Sequence, residues 1–70
     1  MNYLVIVEGS PKKGFSAYSP DINVFATGKT ERQVRSRMAS GIKTHISWLR
    51  KAGDRVPRPK TKAYIQPIDP

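Results

Sequence analysis

The stretch Val24-Phe25-Ala26-Thr27-Gly28-Lys29-Thr30-Glu31-Arg32-Gln33-Val34 contains the change of period that decides the fold. Its first four residues have strand composition, and Gly28 closes them. Thr30-Glu31-Arg32-Gln33 then has the pattern of a capping box. The Thr30 hydroxyl can accept from the Gln33 amide while Gln33 reaches back, and Glu31 suits the positive end of a helix dipole. Beyond it, Val34, Met38, Ile42 and Leu49 recur in steps that place them on one helical stripe, with His45 completing the spacing. Ala52-Gly53 supplies the stop, and Lys51 complements the C-terminal end. The predicted helix covers residues 31–52, 22 residues, or about 33 Å at the standard rise.

Upstream of this junction the chain reads as strands. Residues 3–8, Tyr-Leu-Val-Ile-Val-Glu, are rich in β-branched and aromatic side chains and stop at Gly9-Ser10-Pro11. Pro11-Lys12-Lys13-Gly14 is a polar turn. Phe15-Ser16-Ala17-Tyr18-Ser19 alternates large and small until Pro20-Asp21 interrupts it. Short connections make an antiparallel meander the simplest arrangement. Downstream, residues 54–62 form a basic connector in which Pro57 and Pro59 forbid helix. Ala63-Tyr64-Ile65-Gln66-Pro67-Ile68 has the composition of a fourth strand, confined by Pro67 to an edge or a strand end. The expectation is one α+β domain over residues 1–70, ordered βββαβ, with one long helix packed on one face of a small antiparallel sheet.

The length and composition narrow the function. Seventy residues bury little surface, and small domains compensate with disulfides, metals or self-association. There is no cysteine, so neither a disulfide nor a thiolate metal site is available, and His45 alone is not a ligand set. Self-association is the remaining route, and a homodimer or higher oligomer is expected. The N-terminus lacks the basic lead and cleavage site of a signal peptide, and no apolar run approaches a bilayer span. A cytoplasmic location without membrane contact is therefore expected. Thirteen Lys and Arg against five Asp and Glu give a net charge of +8, which raises affinity for nucleic acid and for acidic proteins.

Catalytic patterns are poor. Metal-dependent hydrolysis of the ribonuclease-H type needs clustered carboxylates, but Glu8, Asp21, Glu31, Asp54 and Asp69 are scattered through a strand end, turns, a helix start and a terminus. Ser40 and Ser47 share a helix with His45, yet no orienting acid accompanies them. Gly28-Lys29-Thr30 echoes the tail of a P-loop, but position 23 is Asn where that frame needs Gly, so the tripeptide is better read as a helix cap. No enzyme activity and no cofactor are expected. Binding features are better supported. Phe15, Tyr18, Phe25 and Trp48 are candidate partner contacts, Trp48 lying at the edge of the apolar stripe. Arg32, Lys43 and Arg50 line up on the opposite helix face with Arg35 to one side, and with Arg55 and Arg58 they are candidate phosphate contacts.

Four pieces of this sequence, in order, resemble the HicB antitoxin family. They are Tyr3-Leu4-Val5-Ile6-Val7-Glu8, Gly14-Phe15-Ser16-Ala17-Tyr18-Ser19-Pro20-Asp21, Ala26-Thr27-Gly28-Lys29-Thr30, and Gly53-Asp54-Arg55-Val56-Pro57-Arg58-Pro59. Together they cover nearly the whole chain. The resemblance implies a stand-alone N-terminal domain with a truncated ribonuclease-H-like fold and no nuclease chemistry. It also implies a non-catalytic role in masking a small HicA-type ribonuclease toxin. The chain departs from the family at Ile22-Asn23-Val24-Phe25, where members carry Leu-Pro-Gly-Cys, and in its basic charge. That charge supports two alternatives: a nucleic-acid-binding module, or a decoy or inhibitor of an acidic protein.

Overall fold

A computed structural model describes all 70 residues. Three strands, β1 (Ile6–Ser10), β2 (Gly14–Tyr18) and β3 (Phe25–Gly28), precede one helix, α1 (Glu31–Lys51). The sheet is an antiparallel meander in the order β1-β2-β3, so the fold is α+β with the helix on one face. Ile6 stands opposite Tyr18, and Tyr18 opposite Phe25; Val7, Ala17 and Ala26 form the neighbouring row. Adjacent rows point to opposite faces. One face therefore carries Val7, Phe15, Ala17 and Ala26 against α1, and the other carries Ile6, Glu8, Ser16, Tyr18, Phe25 and Thr27.

The first strand lies later than its composition suggests. Residues 3–5 stand outside the ladder because β2 ends at Tyr18, the partner of Ile6. Ser19 there turns aside, its hydroxyl donating to the Leu4 carbonyl at 2.7 Å and its amide to the Val24 carbonyl at 3.2 Å. At the other end the ladder continues to Ser10 because Gly9 takes φ +129°, and a Cβ there would sit 2.2 Å from the Gly14 carbonyl oxygen. Only glycine accepts both that dihedral and that approach.

The helix begins where the sequence places it. Thr30 is the N-cap, its hydroxyl accepting from the Gln33 amide at 3.0 Å. Gln33 reaches one residue further back than the capping box requires, accepting from the Lys29 amide at 2.7 Å. Ala52 is the C-cap, and Gly53 follows at φ +74°.

The core is small. Ala17, Val34 and Met38 are its buried centre, with Val5, Val7, Phe15, Val24, Ala26 and Ile42 packed around them. Ile22 is buried nearby, and the one buried polar residue is Ser19. The helical members of this core are Val34, Met38 and Ile42, and none lies beyond Ile42. Twenty-one residues extend about 32 Å, whereas a five-residue strand spans roughly 17 Å. The helix therefore outlasts the sheet: beyond Ile42 it contributes no core residue, and Trp48 there is 67% exposed.

The fourth strand is not formed. Residues 63–68 belong to no ladder and are exposed. The cause lies upstream, in a competing interaction. Asp21, at the bend between β2 and β3, accepts from the Lys60 amide at 2.9 Å and from the Thr61 amide and hydroxyl at 2.7 and 2.6 Å. Those bonds draw the chain across the end of the sheet, away from the free edge of β1, before the strand-like residues begin.

Candidate protein-docking surface

Register brings three large side chains of the outer face into one row. Ile6, Tyr18 and Phe25 are cross-strand neighbours, close enough for side-chain contact across the sheet. No element covers this face. Tyr18 is 46% exposed and Phe25 78%. Phe25 stands on β3, an outer strand of the sheet, and borders a depression with Val24, Gly41, His45 and Trp48. Gly41 matters at this point because a Cβ on it would lie 3.0 Å from Val24 Cγ1. The missing side chain lets α1 sit close to β3, which brings Trp48 and Phe25 to the same rim. Half-buried His45 lines the floor beside them.

Three of the four aromatic residues expected at a partner surface, Tyr18, Phe25 and Trp48, thus belong to a continuous outer-face and edge surface. Phe15 does not. Its odd position in β2 turns it to the helix face, where it packs half-buried against the core between Gly9 and Gly28 in the register. It packs with the core and does not join the partner surface. Ile6 takes its place in the row.

The cations separate into three groups. Arg32, Arg35, Lys43 and Arg50 are exposed along α1, but Arg35, Lys43 and Arg50 border the apolar groove beside Tyr3 and Ile42 and do not stand on a face opposite it. Glu31 is the only acidic neighbour bonded to them, 3.8 Å from Arg35 with both side chains well exposed, a contact worth only about 0.3–0.5 kcal/mol. Arg55 and Arg58 lie apart from that stripe, in a depression with Pro20, Asp21, Pro57 and Lys60. The sequence reading missed a third group. Lys13, Lys29 and Arg37 surround a polar depression with Glu8, Ser16 and Thr27, and Arg37 donates to the Thr27 carbonyl at 2.8 Å. The meander places the β1–β2 turn and the β3–α1 junction at one end of the sheet, so pairing Lys13 with Lys29 was available from topology alone.

The Asp21 carboxyl is held below the usual aspartate range, first by the Thr61 hydroxyl, then by the Thr61 and Lys60 amides. Nothing in the arrangement resembles a metal site: no three His, Asp or Glu side chains come together. No helix is long and apolar enough to cross a membrane. Comparison with protein-family models, curated proteins and solved structures finds no match to this chain.

Proposed function

We propose that this protein is a non-catalytic docking module of antitoxin type, which masks a small HicA-type ribonuclease toxin or a similar protein partner. The observation that supports the reading is the exposed pair Tyr18–Phe25, flanked by half-buried Ile6 and continued around the β3 edge to Trp48. A row of this kind on the open face of a two-layer domain is costly in water and useful at an interface. The four sequence segments that resemble HicB antitoxins suggest the partner class. Co-expression with a HicA-type toxin tests the proposal. Rescue of growth and co-purification of the pair are expected, and both should be lost in Phe25→Asp/Trp48→Asp. No complex and no rescue by the unaltered chain would overturn it.

A second reading, phosphate binding, is favoured by the exposed stripe Arg32/Arg35/Lys43/Arg50. Its signature is affinity for duplex DNA or RNA that falls steeply with salt, with a log–log slope of about −0.9 per phosphate neutralised on B-DNA. Absent or salt-independent binding removes it.

A further inference from the structure

β1 ends the sheet on the side away from β3, and a groove runs between it and α1. Tyr3, Val5 and Val7 form one wall; Met38, Ala39 and Ile42 form the other. The apolar floor continues past Met1 to Ile46. The helix packs on β3 and β2, which leaves β1 the strand least covered, with both its inner groove and its outer backbone edge open. An edge of this kind is a template for another strand.

The same chain carries an unpaired segment with strand composition. Residues 63–68 lie outside the ladder, and Tyr64, Ile65 and Ile68 are 83%, 93% and 77% exposed. Their chain passes Tyr3, whose hydroxyl donates to the Pro57 carbonyl. It is then carried to Asp21 and held there at Lys60 and Thr61. That anchor lies between β2 and β3, and the segment that follows it makes no ladder with β1 of its own molecule.

We propose that residues 63–68 add as a strand to the free β1 edge of a second copy, with the exchange made reciprocally. In a strand, Tyr64, Gln66 and Ile68 share one face and Ala63, Ile65 and Pro67 the other. Both faces carry a large apolar group. A strand seated there needs this, because one face closes the groove over Val5, Val7 and Ile42 while the other extends the outer surface beside Leu4 and Ile6. Pro67 has no amide hydrogen to give and is accommodated when it turns toward solvent on the new edge, which aims the Tyr64 and Gln66 amides at β1. Charge agrees. Residues 63–69 carry only the charge of Asp69, and the groove is rimmed by Arg35, Lys43, Arg50 and Lys51.

Area agrees as well. The chain exposes 6118 Å², whereas a compact monomer of 7.9 kDa exposes about 4,400 Å². The excess of roughly 1,700 Å² exceeds the ~800 Å² per partner of a standard interface. The exchange meets the outer row only at Ile6 and leaves Tyr18, Phe25 and Trp48 to the partner, so the two proposals fail separately.

The test is the solution mass of the full chain by light scattering, together with isotope-filtered NOEs on a mixed labelled and unlabelled sample. The expected result is twice the chain mass, with intermolecular NOEs from Tyr64, Ile65 or Ile68 to Val5, Val7 or Ile42. In Ile65→Asp/Ile68→Asp the mass should halve while the circular dichroism of α1 is retained, since neither side chain touches the monomer core. A native chain of single mass, a dimer unaffected by the double substitution, or NOEs from these residues within one molecule only would each overturn it.

Discussion

At the scale of single residues, two positions control the path of the chain without contributing to the core. Gly9 combines φ +129° with a Cβ position 2.2 Å from a carbonyl oxygen, so Gly9→Ala must displace the β1–β2 hairpin. Its expected cost is at least about 2 kcal/mol, read from urea unfolding, and that is a large share of the few kcal/mol a domain this small can hold. Asp21 acts as a clamp. Its folded carboxyl titrates below its unfolded one, so the stabilisation it gives is present above the ordinary aspartate pKa of about 3.9 and is lost as pH falls through the lowered folded value. The Lys60 and Thr61 amide resonances should move together in that acid range and nowhere between pH 5 and 8. In Asp21→Asn that acid step should disappear. Titration of those amides near neutrality would contradict the assignment.

At the scale of elements, the helix divides at Ile42 into a stretch that packs on the core and a stretch beyond it that contributes no core residue. The consequences of substitution should divide in the same way. Met38→Ala removes a fully packed side chain and is expected to cost about 2–5 kcal/mol, and Thr30→Ala removes the cap at about 1 kcal/mol. Trp48→Ala should change the stability of the isolated chain by less than about 0.5 kcal/mol while abolishing partner binding. Chemical denaturation and a pull-down on the same variants separate the two effects. Much of this was legible in the sequence. Thr30 to Gln33 locates the start of α1, the step of three and four selects Val34 and Met38, and Gly53 marks the end. Strand parity was legible too: it separates Phe15 from Tyr18 once the register is known, although composition groups them. The fourth strand was misread because composition reports what a segment is suited to, whereas its pairing was decided by Asp21, about forty residues away. Gly9 was readable as a breaker, but its ladder position depends on the approach of Gly14, which no local pattern encodes.

At the scale of the whole molecule, the chain is thin and long, 49 × 28 × 14 Å, with a radius of gyration of 14.1 Å against about 11 Å for a compact domain of this length. Five buried residues are a small core for a folded protein, and apolar groups are left on the outer face, along the β1 groove and on residues 64–68. Completion of the domain by a second chain, as proposed above, would cover these groups, and linkage makes it directly measurable. The midpoint of thermal unfolding should rise by about 5–10 °C over a hundredfold increase in protein concentration, given about 1.4 kcal/mol per decade and the unfolding entropy of two chains of this size. A midpoint independent of concentration, in a sample of single-chain mass throughout, would contradict it.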